Sequence, residues 1–356
     1  MNWSRSHPRA VRGEAVHEPQ KEKKEKEIMR QQVYEEVIQQ IGLEGTNGFK
    51  TANGFKTETN RIDPENLLVP EIKNFVDTTE IQELKNRIKM WMKLGHPVHL
   101  IGPTGCGKTT LAIQAAKEMN KHVVWINGDE EMSTTDLTGG YSEVETSSLR
   151  DNYVHNVLKV KDVYKAGWID NPLTIACKYG YALVYNEFSR SLPQANNVLL
   201  SVFEEKILEL PTKSGQDRYI KVHPNFVSIF TSNSIEYAGV HKPQDALLDR
   251  MIGIYMDYYD FDTELKIVKA NSKIPAKEAE RVVKIIRLLR KRLEGGERPG
   301  TRACILLAQG LEASGSFKKA DYKQICMDVL ASKTNGQLDF SQKIEVLDQV
   351  LEEVDQ

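Results

Sequence analysis

HPVHLIGPTGCGKTT, residues 96–110, is the stretch that decides the fold. Residues 96–101 form a short apolar run, which predicts a buried strand. The run passes directly into a glycine, four residues and Gly-Lys-Thr, and residues 109–118 are expected to continue as a helix. The bare pattern arises by chance in large sequence sets, whereas its placement between a strand and a helix is specific. Gly102, Gly105 and Gly107 let the main chain curl so that N–H groups converge on a phosphate chain. Pro103, Thr104, Cys106 and Thr110 complete the expected nucleotide-binding loop, and the helix start at Lys108 adds a positive partial charge. Lys108 is expected to reach the β- and γ-phosphates of ATP, and the Thr109 hydroxyl to ligate Mg²⁺. Cys106 has two readings: a thiol whose pKa is lowered by the helix N-terminus, open to oxidation, or a small residue at a variable position.

A phosphate loop of this kind needs a second strand ending in acidic residues. ALVYNEFSR, residues 182–190, supplies four apolar residues and then Asn186 and Glu187. Glu187 is expected to polarise the water that attacks the γ-phosphate. Asn186 stands where an aspartate would hold the metal. It keeps an acceptor oxygen but loses the negative charge, which predicts weakened Mg²⁺ affinity and slow hydrolysis. FVSIFTSN, residues 226–233, is a further buried strand with Asn233 at its carboxyl end, the edge where parallel sheets bind ligands. Asn233 is read as orienting the water; alone it would be a turn residue. Arg250 follows a short helix and is read as an arginine finger toward a neighbouring subunit. Arg302 opens a C-terminal helix and is read as reporting γ-phosphate to the lid. Either arginine alone would pass for an exposed helix charge.

The rest of the chain divides by composition. Residues 1–65 read as a flexible extension, with the charged run KEKKEKE, a duplicated NGFKT and one helical candidate over residues 28–41. Residues 66–260 alternate strands and helices. A helix is expected over residues 81–94, capped by Thr79, with strands over residues 123–126 and 182–185. This pattern means an α/β fold with a parallel sheet flanked by helices. Residues 261–356 lose the strands and read as a smaller all-helical lid, with an amphipathic helix over residues 277–293 and further helices near Thr301 and Asp321. The 356 residues suffice for a full core. The formal net charge of -2 argues against a protein that coats nucleic acid. The sequence shows neither a membrane-spanning run nor a signal-peptide core, so a cytoplasmic location is expected. Cys106, Cys177, Cys304 and Cys326 show no metal-ligand spacing.

Taken together the motifs resemble an AAA+ ATPase of the MoxR-like branch, and more narrowly the gas vesicle protein N family. FVDTTEIQEL at Phe75, NGDEEMSTTDLTGG at Asn127, the long string from Trp168 and SIEYAGVHKPQDALLDR before Met251 carry that resemblance. It implies ring-shaped homo-oligomers, expected to be hexamers, ATP and Mg²⁺ as cofactors, and assembly-chaperone work on gas vesicle shell or accessory proteins. In the MoxR-like branch an insertion corresponding to residues 198–222, read here as a helix and a hairpin around Ser214-Gly215, faces the ring pore. Two alternatives stand beside this: a nucleotide-gated scaffold that barely hydrolyses ATP, and a MoxR-type chaperone that matures a different complex.

Overall fold

The computed structural model describes residues 69–119, 121–142, 147–148, 162–163, 167–211, 218–233, 241, 243–293, 298–331 and 340–355. The N-terminal extension, with its helical candidate and both NGFKT copies, lies outside them.

Five strands form one fully parallel sheet: β1 (Val98–Gly102), β2 (Val123–Asn127), β5 (Ala182–Asn186), β8 (Val227–Asn233) and β9 (Ile252–Tyr255), in the order β9-β1-β8-β5-β2. The numbers β3 and β4, and β6 and β7, belong to two small hairpins described below. Both faces are covered, which is why the strands read as largely apolar runs. Alternate residues feed opposite sides: on β5, Leu183 and Tyr185 enter one hydrophobic cluster, Ala182 and Val184 the other. Helices α1 (Thr79–Lys93) and α2 (Lys108–Glu118) cover the second side. Helices α4 (Pro172–Tyr179) and α5 (Val198–Glu204) cover the first, while the five-residue α3 (Thr134–Thr138) packs beside α4.

Helix α1 buries Ile81, Ile88 and Met92, with Leu84 and Trp91 at the margin. Its cap is Thr78, whose hydroxyl accepts from the Ile81 N–H at 3.4 Å, and the expected cap, Thr79, is the first helical residue. The two threonines are adjacent, and the one in extended conformation takes the role. Strand β8 starts one residue after the expected segment and ends, as expected, on Asn233. The expectations were blind to β9, whose IGIY is interrupted by Gly253, and to the hairpin of β3 (Gly139–Ser142) and β4 (Gly167–Asp170). The expected hairpin after α5 is present as β6 (Ile207–Glu209) against β7 (Tyr219–Lys221), and its turn lies outside the described residues.

After α6 (Asp245–Leu248) and β9 come five helices: α7 (Phe261–Asn271), α8 (Ala276–Arg292), α9 (Thr301–Ser314), α10 (Lys319–Ala331) and α11 (Phe340–Asp355). They share a hydrophobic cluster of their own. Helix α8 supplies Val282, Val283, Ile285, Ile286 and Leu289, all wholly buried, each worth roughly 1.5–3 kcal/mol in apolar transfer. Among the described residues no helix is long and apolar enough to cross a membrane.

Candidate nucleotide site

The sheet register assembles the site. Gly102 at the end of β1 lies beside Asn233 at the end of β8, and Asn127 at the end of β2 lies beside Asn186 at the end of β5. Between β1 and α2 the chain turns through Gly107 at φ +91, a left-handed conformation that a Cβ would strain. That turn starts α2 at Lys108 with no acidic residue in its first turn, leaving the positive end of the helix uncompensated. The buried Lys108 ammonium donates to the carbonyls of Gly102 (3.0 Å) and Pro103 (2.8 Å) and to Asn233 Oδ1 (2.8 Å).

Asn186 is the second node. Its Oδ1 accepts from the Thr109 hydroxyl at 2.6 Å and the Thr231 hydroxyl at 2.9 Å, and its Nδ2 donates to Asn127 Oδ1 at 2.7 Å. Thr231 also accepts from the Glu187 N–H at 3.1 Å. Glu187 itself lies at φ +50, a conformation a non-glycine residue holds only where its surroundings enforce it, and its carboxylate pairs with Arg190 at 3.0 Å. Sequence reasoning selected Asn186, Glu187 and Asn233 but missed Asn127 and Thr231, whose side chains tie the strand ends together. The available signal was that both lie at or next to the carboxyl end of a buried strand.

Beside the loop opens a cavity of about 330 Å³, lined by apolar side chains, Ile72, Phe75, Tyr259, Ile267 and Ile305 among them, and by Gly105, Thr109 and Thr110. Its shape offers an apolar slot next to the phosphate loop. No motif marked Ile72 or Ile267 in the sequence, because one lies on an irregular segment before α1 and the other on a helix the periodicity did not single out.

The two arginines part company. The main-chain N–H of Arg302 donates to the Gly105 carbonyl at 3.3 Å, and its exposed side chain lines the same cavity. Arg250 turns away: its guanidinium donates to Glu204 Oε2 at 2.9 Å and to the Ala246 carbonyl at 2.6 Å, bracing α5 against α6. Within one chain, therefore, Lys108, Thr109, Asn186, Asn233 and the Arg302 main chain are brought together and Arg250 is not.

Cys106 is wholly buried, and that burial pushes its thiol pKa up, against the smaller opposing pull of the Lys108 ammonium. Burial therefore works against the lowered pKa that a place at the helix start would favour. Burial likewise pushes His99 down to about 4; its Nε2 lies 2.7 Å from the Ser232 hydroxyl.

For Mg²⁺, the fit rests on the donor set. Thr109 Oγ1 and Asn186 Oδ1 are hard oxygens in hydrogen-bond contact beside the phosphate loop, the chemistry that this ion selects.

A parallel sheet with a phosphate loop after one strand and polar residues at the ends of its neighbours defines a P-loop ATPase of the AAA+ class. Residues 97–251 match the model of the AAA domain (dynein-related subfamily). The gas vesicle ATPase GvpN of Haloferax mediterranei is 47% identical over 329 residues, covering 92% of this chain and 91% of that protein. GvpN1 of Halobacterium salinarum is 51% identical over 81% of this chain and 82% of its own length, and GvpN of Ancylobacter aquaticus 38% over 80% and 81%. The chain belongs to the gas vesicle ATPase GvpN family, and it is an ATP hydrolase.

Proposed function

We propose that the chain binds Mg-ATP with its triphosphate in the Gly102–Thr110 loop, hydrolyses it slowly, and works in a ring as an assembly chaperone for gas vesicles. The convergence of Lys108 with Asn233 and of Thr109 with Asn186 carries the nucleotide part of this reading. Lys108 would exchange its carbonyl and Asn233 contacts for phosphate oxygens, freeing Asn233 to orient a water. Glu187 accepts that water's proton, and the apolar slot by Ile72 and Ile305 takes the base. Thr109 and Asn186 would hold magnesium, which when bound screens the charge shared between the β- and γ-phosphates. Arg302, at the cavity wall, responds to the γ-phosphate. Arg250 reaches its target in a neighbouring subunit by leaving Glu204.

The gas vesicle role comes from the family. The β6–β7 hairpin, with Ile207 and Tyr219 exposed, is the proposed contact for an apolar shell or accessory protein. A location in the cytoplasm, at the growing vesicle, follows from that role. One observation favours a second reading, a nucleotide-gated scaffold with little turnover: the metal-facing position is a neutral amide already committed to three neighbours. A steady-state ATPase assay with Lys108→Ala and Glu187→Gln, run beside complementation of a deletion strain scored by microscopy, separates the two. The chaperone reading requires both variants to lose turnover and buoyant vesicles. Vesicles formed normally by Glu187→Gln would favour the scaffold.

A further inference from the structure

Glu264 on α7 is completely buried, yet it is a carboxylate. Its Oε1 accepts from Arg290 Nη2 at 2.7 Å and the Thr301 hydroxyl at 3.0 Å, and its Oε2 from Arg287 Nη1 at 2.9 Å and Arg290 Nη1 at 3.3 Å. Three elements therefore meet on one side chain: α7, α8 and the first residue of α9. Each arginine reaches further. Arg287 Nη1 also donates to the Tyr259 carbonyl at 2.9 Å, and Arg290 Nε to the Pro299 carbonyl at 2.9 Å, with its guanidinium 3.9 Å over the Tyr258 ring.

Both of those backbone targets adjoin the nucleotide cavity. Tyr259 lines it, with its hydroxyl against Gly107. Pro299 begins the turn in which Gly300 lies against the phosphate loop, so closely that a Cβ there would sit 2.7 Å from the Thr104 carbonyl oxygen. Arg302 follows, its N–H on the Gly105 carbonyl. A buried carboxylate between two arginines is a weak stabiliser compared with apolar residues of the same volume. What it supplies is directional: fixed forks that hold two main-chain carbonyls and a hydroxyl at set angles.

We propose that Glu264 is a positioning residue for the nucleotide site: through Arg287, Arg290 and Thr301 it fixes Tyr259 and the turn before Arg302 against the phosphate loop, so that Arg302 distinguishes ATP from ADP. This rests on the reading of Arg302 as the residue that responds to the γ-phosphate.

The test is a double-mutant cycle on the full chain, with Mg-ATP and Mg-ADP affinities measured calorimetrically for wild type, Arg302→Ala, Glu264→Gln and the double variant. Arg302→Ala is expected to cut the ATP-over-ADP preference by about tenfold, the size of one charge-assisted contact. Glu264→Gln is expected to cut it comparably, and the double variant no further than either single one. Thr301→Val, which removes only the hydroxyl link, should show the same non-additivity, and it decides the matter where Glu264→Gln does not fold. Effects that multiply, or an unchanged preference in Glu264→Gln and Thr301→Val, would overturn the proposal while leaving the Arg302 reading intact. An unchanged preference in Arg302→Ala would overturn both.

Discussion

At the scale of single residues, Asn186 shows what a neutral side chain does in a charged site. Its amide is oriented by two hydroxyl donors on one side and an acceptor on the other, so it holds the strand ends together without adding charge. Asn186→Asp puts a carboxylate there, and Asn127 can turn its amide to donate in place of accepting. The variant is expected to raise apparent Mg²⁺ affinity about tenfold and to increase turnover, read by metal titration of the ATPase rate. Unchanged metal dependence would refute the idea that the amide limits catalysis. His99 makes a pH-dependent contribution of definite sign. Its pKa falls from 6.5 to about 4 on folding, so its contribution to stability is complete above pH 6.5 and is lost as pH falls toward 4. The slope is at most about 1.4 kcal/mol per pH unit. His99→Gln should flatten the difference between urea unfolding near pH 7 and near pH 5, and parallel losses in the two proteins would contradict this. Residue identity is most legible in the sequence where chemistry demands one side chain, as at Lys108, Thr109 and Glu187. Asn127 and Thr231 are not legible in that way, because Asn and Thr at a strand end serve many turns equally well.

Among the elements, the strand-loop-helix from β1 to α2 was readable almost to the residue, since a glycine-rich turn between an apolar run and a helix leaves few alternatives. The hairpin of β3 and β4 was not, because GGYS and GWID have four residues each and no apolar period long enough to register. Strand β9 hid for a related reason: Gly253 breaks its apolar run, and the strand is recognisable only from its pairing with β1. Helix α9 brings the helical C-terminal region to the phosphate loop, and Gly300, the residue before it, lies against the Thr104 and Gly105 carbonyls. Gly300→Ala is expected to push the start of α9 off the Thr104 and Gly105 carbonyls and weaken ATP binding about tenfold, with a small change in melting temperature. A variant that melts early yet binds ATP normally would show that this approach serves packing alone.

For the molecule as a whole, the proposed role of Arg250 is the one that a single chain does not accommodate. Its guanidinium is held by Glu204 and the Ala246 carbonyl within the chain, so the proposed arginine-finger role requires a neighbouring subunit. Mixing Arg250→Ala with Lys108→Ala, each expected to be inactive alone, should restore part of the turnover, because some interfaces then join an intact loop to an intact arginine. No recovery on mixing would remove Arg250 from catalysis. The overall α/β architecture followed from strand and helix alternation, and Arg302 marked where the helical region meets the site, but the close approach of Gly300 to the loop and the Glu264 network behind it depend on contacts between segments far apart in sequence and were not visible there.

The central claim is that main-chain amides of the Gly102–Thr110 loop, Lys108 and the Thr109–Asn186 pair hold a magnesium-bound triphosphate. The most direct measurement is a calorimetric titration of ATP into wild type and Lys108→Ala, each with and without magnesium. Wild type is expected to bind ATP more tightly with magnesium present, and Lys108→Ala to lose most of that affinity. Equal affinities for the two proteins, or binding in wild type indifferent to magnesium, would contradict the account.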